Sequence, residues 1–183
     1  MTWGVRYLQD AHGFAYGDAV MRSTTVPIGW IIGCPLMGII SDRIGRRKPV
    51  IVAGASVLCA CLVWILYGAP GTVPPYVVGL IAGIASGAAM LPYTVAKEAN
   101  PPELSGTASG VVTFVIFTFS AVLGSVFAGI LEHVSGGSEF GLGHYQVTFQ
   151  PLLYGVGAAI MLTLLLKETG SAVRVPLGKM RLA

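Results

Sequence analysis

Two long apolar stretches, residues 26–40 and 50–67, are separated by a turn that packs five charges into the seven positions 42–48: Asp42, Arg43, Arg46, Arg47 and Lys48. Apolar runs of helical length joined by a short basic turn form a membrane hairpin with its turn on the cytoplasmic side. The turn has mechanical content. Gly38 lacks a side chain, so another helix can approach its backbone. Asp42 follows one helical turn later, where the helix leaves hydrocarbon. Gly45 permits the sharp reversal that so short a link demands. Arg43, Arg46, Arg47 and Lys48 can pair with Asp42, with lipid phosphates or with the ends of neighbouring helices.

Composition extends this reading to the whole chain. Of 183 residues 54% are hydrophobic and 10% charged, against about 25% charged in a soluble domain. Too few charges are present to cover a water-facing surface, so the expected fold is an all-α polytopic membrane protein. The net charge of +3 lies mostly at span ends, where it orients helices and does not indicate nucleic acid. Cys34, Cys59 and Cys61 fall inside apolar runs and read as small buried hydrophobes. His12, His133 and His144 fall outside the expected spans and form no ligand cluster. Neither a metal nor a cofactor is expected.

Five spans are expected, at about 19–40, 49–68, 76–96, 101–131 and 146–166. Residues 1–18 are too polar to span and read as an extracytoplasmic loop with amphipathic fragments, and 167–183 as a cytoplasmic tail. Pro27 can kink the first span, where Gly29 and Gly33 form a small-xxx-small pair. Pro49 suits the first turn of the second, and 69–75 reads as a turn. In the third, Gly79, Gly83 and Gly87 recur every fourth residue and make a stripe of nearly bare backbone for helix packing. Leu91-Pro92-Tyr93-Thr94 interrupts it. Asn100, Pro101 and Glu103 suit the start of the fourth span, with Gly106 and Gly110 as further packing positions. At 31 residues it would reach about 47 Å, more than the hydrocarbon thickness of about 30 Å. With the Asp42 turn inside, nine of the eleven Lys and Arg residues face inward and only Arg6 and Arg22 face out. The N-terminus is then outside and the C-terminus inside.

The order Gly38-x-x-x-Asp42-Arg43-x-Gly45-Arg46-Arg47-Lys48 resembles the signature loop of the major facilitator superfamily of secondary transporters. The resemblance implies alternating access of a small solute across the plasma (inner) membrane by a multi-pass protein, with no covalent chemistry. Family members have twelve helices in two six-helix halves, so five spans imply a partial transporter whose partners are the lipid bilayer, a small-molecule substrate and a missing N-terminal half. Two assignments fit, helices two to six of the amino half or eight to twelve of the carboxyl half. The run 97–110 resembles the junction between helices ten and eleven of bacterial members and favours the carboxyl half, as does the short tail after Lys167-Glu-Thr-Gly.

By the same resemblance, Gly38, Asp42, Arg43, Gly45, Arg46 and Arg47 form a gating motif. Its aspartate pairs with loop arginines and with a helix N-terminus of the opposite half. The first, third and fourth spans would line the cavity, which makes Tyr93, Thr94, Thr113, Phe117 and Thr118 substrate-cavity candidates. A Ser or Thr in a membrane helix more often bonds its own backbone, and a Phe more often meets lipid. No Asp, Glu, Lys, Arg or His lies near the middle of any span, so a proton-relay group would belong to the missing portion.

Two other readings stand beside this one. A membrane-embedded enzyme would need a cluster of His, Asp or Glu at the membrane face, and the sequence shows none. A non-transporting membrane subunit, or the remnant of a truncated gene, is compatible with the same residues.

Overall fold

A computed structural model describes residues 2–68, 75–136, 141–166 and 168–170. The expected turn at 69–75 and the expected tail fall largely outside the described residues. Those described are helical, with no strand among them. The order is α1 (Thr2–His12), α2 (Tyr16–Ser23), α3 (Thr25–Ile44), α4 (Lys48–Tyr67), α5 (Pro75–Ser86), α6 (Leu91–Ala99), α7 (Ser105–Ser135) and α8 (Leu142–Leu165), with 3-10 turns at Gly87–Met90 and Pro102–Leu104. Five stretches are long and apolar enough to cross a membrane: Tyr16–Ile44, Lys48–Tyr67, Tyr76–Ala99, Pro102–Ser135 and Leu142–Leu165. The chain is thus an all-α polytopic membrane protein.

Several boundaries differ from expectation. Residues 1–18 are not a loop. They hold α1 and the start of α2, and α1 packs against α2 and α8. The first span therefore begins near Tyr16, and α2 continues into α3 through Thr24, whose N–H bonds the Val20 carbonyl while its own carbonyl accepts from Ile28. Pro27 sits three residues past this junction, at the start of α3, where it cannot donate to the Ser23 carbonyl. His133 and His144 lie in the end turns of α7 and α8, not outside the helices. Asn100 does not cap the following helix. Its side-chain amide donates to the Ala96 carbonyl at 2.8 Å, so it closes the C-terminus of α6.

Around Pro92 the interruption lies upstream of where the sequence placed it. A proline cannot donate to the carbonyl four residues back, and its ring crowds that turn. The preceding four residues, Gly87–Met90, tighten to 3-10 geometry, and α6 restarts with Pro92 in its first turn.

The packing is organised on α5. Both α3 and α4 lie against it, α8 lies against α4, and α7 joins α6 to α8. Glycine allows the closest of these contacts. A Cβ on Gly83 would collide with the Val26 carbonyl and the Gly29 Cα, and one on Gly87 with the backbone of Gly33 and Cys34. On α3 the reciprocal positions are Gly29 and Gly33, whose added Cβ atoms would strike Leu80, Gly83 and Ile84. Gly79 meets the Thr25 side chain. Gly38, Gly106 and Gly110 have nothing nearby among the described residues, so at Gly38 no described helix makes the expected close approach.

At the end of the bundle away from the Asp42 turn, Tyr7, Leu66, Leu131 and Tyr145 form a buried cluster. The Tyr7 and Tyr145 rings meet edge to face, their centroids 5.4 Å apart. Buried hydroxyls need partners, and these have them. Tyr7 donates to the Ile65 carbonyl at 2.7 Å and Tyr145 to the Asp10 carboxylate at 2.6 Å. Arg22 lies over the Phe14 ring at 3.9 Å and near Tyr76, an arrangement favoured by the ring quadrupole.

Candidate functional site at the basic turn

The turn between α3 and α4 is built by Gly45. It closes α3 in the left-handed conformation, with φ of 68°, which a side chain would disfavour. Its N–H bonds the Ser41 and Asp42 carbonyls, satisfying acceptors that a helix end leaves open. The chain then reverses and α4 starts at once, with Pro49 in its first turn.

That reversal turns Arg47 inward. The residue is buried, whereas Arg43 and Arg46 are exposed. Its guanidinium reaches three elements. Nη1 donates to Asp42 Oδ1 at 2.5 Å and to the Ser41 hydroxyl at 3.0 Å. Nη2 donates to Glu98 Oε1 on α6 at 2.8 Å, and Nε lies 3.4 Å from the other Glu98 oxygen. The planar fork of arginine suits such two-point contact with a carboxylate. The Arg47 pKa is raised, chiefly by the Glu98 hydrogen bond and then by Asp42, against desolvation acting the other way. Ser41, fully buried, accepts from Arg47 and donates to the Arg46 carbonyl at 3.2 Å.

A third carboxylate comes from beyond α8. No side chain of α4 caps its own N-terminus. Instead Glu168 Oε1 accepts the backbone N–H groups of Arg47 at 2.9 Å and Lys48 at 3.0 Å. A carboxylate there satisfies open donors and meets the positive end of the helix dipole. The Thr169 carbonyl also accepts from the Arg47 N–H, at 3.2 Å. Lys48 reaches the other way, its ammonium donating to the Leu164 carbonyl in the last turn of α8 at 2.9 Å. Gly170 lies directly on the Gly45 carbonyl, with no room for a Cβ. The basic turn thereby joins the ends of α3, α4, α6 and α8.

Of the six gating-motif residues, Asp42, Gly45 and Arg47 are brought together here. Arg43 and Arg46 face outward with no ion-pair partner among the described residues, and Gly38 is open. Sequence reasoning left Ser41, Glu98 and Glu168 out of the site. Their one local signal is that each is a polar residue at the end of an apolar span.

The five cavity candidates separate. Tyr93 and Thr94 are half-buried on α6. The hydroxyls of Tyr93 and Thr113 lie 3.5 Å apart, and Thr113 also donates to the Ser109 carbonyl at 2.9 Å. Phe117 and Thr118 are exposed further along α7. The face of α7 that holds Gly106, Gly110, Thr113 and Phe117 thus carries one polar pair and then open surface. Among the described residues no group of His, Cys, Asp or Glu is arranged to hold a metal ion.

A family model described as Major Facilitator Superfamily matches residues 1–125. An arabinose-proton symporter of Bacillus subtilis (strain 168) is 25% identical over 143 residues, covering 78% of this chain and 30% of the relative. A gentisate transporter of Corynebacterium glutamicum is 28% identical over 131 residues, covering 71% of this chain and 29% of the relative. The chain therefore spans about a third of the length of the curated relatives it matches. No solved structure matches it.

Proposed function

Since the chain belongs to the major facilitator superfamily, whose role is solute transport rather than catalysis, we propose that it is part of a secondary transporter moving a small polar organic solute by alternating access. The observation that carries this reading is the Arg47 node, which joins the ends of four helices at one end of the bundle. A gate needs such a latch, in which several helix ends are held through a few charged contacts that can break together. The relatives are named for a sugar and for an aromatic acid, which supports a small oxygen-rich solute without choosing between them.

We further infer that the cavity needs helices beyond those described. The chain spans about a third of the matched relatives' length. On the α7 face from Gly106 to Phe117 both glycines have open space and Phe117 is exposed, leaving the Tyr93–Thr113 pair as its polar contact with α6. The Asp42 turn and the end of α8 lie on the cytoplasmic side of the plasma (inner) membrane in this reading, by the bias of positive residues.

The test is counterflow in proteoliposomes, using radiolabelled arabinose, gentisate and a panel of amino acids and phosphate esters. The 183-residue chain is assayed alone and together with the polypeptide encoded by the adjoining upstream DNA. Saturable counterflow is expected only in the second case. Counterflow by the chain alone would refute its partial nature, and none in either preparation would refute transport.

A further inference from the structure

The helices α3 and α4 are neighbours in sequence, but each packs on α5 more than on the other. A cleft of about 370 Å³ opens between them with α5 as its floor. Every lining residue is apolar or glycine, from Met37 and Val57 at the deep end to Ile44 and Pro49 beside the basic turn. Along α3 it runs from Met37 to Ile44, seven residues or about 10 Å.

We propose that this cleft holds an acyl chain of an anionic glycerophospholipid, whose phosphate is bound by Arg43 and Arg46. Charge complementarity selects this occupant. Of the four cations in the turn, Arg47 is committed to Asp42 and Glu98, and the Lys48 ammonium to the Leu164 carbonyl. Arg43 and Arg46 are exposed and take no ion-pair partner among the described residues. Arg43 is next to Ile44, which lines the mouth, and Arg46 is three residues before Pro49 on its opposite side. Two exposed cations thus lie close in sequence to the residues that line the turn end of a wholly apolar cleft, at the level where a span leaves hydrocarbon. A phospholipid has that polarity, with an apolar chain below an anionic head. A zwitterionic head would bring its own cation to two arginines and gain less. Long arginine side chains at a helix end reach readily to the headgroup layer.

Native mass spectrometry of the delipidated 183-residue chain in dodecyl maltoside tests this. The chain is titrated with dioleoylphosphatidylglycerol, dioleoylphosphatidylcholine or glycerol 3-phosphate. Retention of phosphatidylglycerol at least fivefold above phosphatidylcholine is expected, with no retention of glycerol 3-phosphate. The double substitution Arg43→Gln/Arg46→Gln, at exposed positions, should bring that preference below twofold. Ala53→Phe, which fills the cleft, should lower retention of both lipids. Equal retention of the two lipids would overturn the proposal, as would a preference surviving the arginine substitutions. Binding of glycerol 3-phosphate alone would overturn the acyl-chain part. Release of a lipid-free dimer, abolished by Ala53→Phe, would assign the cleft to a second copy of the chain and overturn the proposal. Should Ala53→Phe not fold, the arginine variant and the three ligands still decide.

Discussion

Glu168 accepts the backbone N–H of Arg47 at 2.9 Å across 121 positions of sequence. The same oxygen takes the Lys48 N–H, so the cap of α4 is supplied by the segment that follows the last helix. Glu168→Ala should cost about 1 kcal/mol, the usual worth of a helix cap. Glu168→Gln, which keeps an acceptor and loses the charge, should cost less. Thermal unfolding in detergent, followed by fluorescence-detected size exclusion, checks the order. Equal melting temperatures for all three proteins would remove the cap.

The two carboxylates on Arg47 should behave differently. The Glu98 side chain is 15% exposed and that of Asp42 68% exposed. Breaking a buried ion pair from one side costs about 3–5 kcal/mol in favourable cases, whereas an exposed pair contributes about 0–1 kcal/mol. Glu98→Gln should therefore destabilise the fold far more than Asp42→Asn. Arg47→Lys should not rescue the node, since one ammonium cannot replace the arginine fork. The same unfolding assay ranks these variants.

If the node is a latch, Asp42→Asn has its effect on rate. In the complete transporter it should slow transport more than it weakens substrate binding, because Asp42 lies at a helix end and not at mid-span. A dissociation constant that worsens in step with the transport rate would place Asp42 in binding instead.

Gly83→Leu should lower the folded yield severely, and Gly83→Ala should already be harmful, because even a Cβ meets backbone there. Gly106→Ala and Gly110→Ala meet nothing described and should leave the yield of this chain unchanged. Detergent-solubilised monodisperse yield is the readout, and parity between the Gly83 and Gly106 variants would contradict the packing.

The docking of α1 should weaken in acid. Burial, and then the charge of Arg22, lower the His12 pKa. A depressed folded pKa means that undocked α1 takes up a proton more readily. The contribution of His12 is thus present above its ordinary value, near 6.5, and is lost as pH falls through that range. Hydrogen exchange of the α1 amides, corrected for intrinsic rates, should accelerate below about pH 6.5, and His12→Gln should abolish the step. A flat profile in the parent chain would exclude this linkage.

The number of candidate spans was legible because each is an apolar run bounded by charges or prolines. The reversal at Gly45 was legible because only a few residue types suit it. The Arg47 node was half legible. Asp42 lies within five residues, but Glu98 and Glu168 lie 51 and 121 positions away, and no local pattern marks which distant acid a cation will meet. Gly38 shows another limit. Five residues beyond Gly33, it is rotated by about 140° from the face that Gly29 and Gly33 share, so it cannot join their contact. The helix α1 was missed because eleven residues of balanced polarity carry too little apolar signal. Its helicity is supported by packing on α2 and α8, which a short segment needs.

The contact between α3 and α5 also has a mechanical consequence. An interface of side chains yields by degrees, as rotamers change and gaps open and fill. Bare backbones have no rotamers, so Gly29 and Gly33 are either against Gly83 and Gly87 or parted from them. Helices in such backbone contact move as one leaf of a hinge, and a push on α3 is passed to α5 through Gly29 and Gly33. The close fit of Gly54 against Ala85 and Ala88 adds α4 to the same leaf. The compliant parts are then α6, which restarts beyond the 3-10 turn at Gly87–Met90, and α7, which no described glycine contact fastens to that leaf.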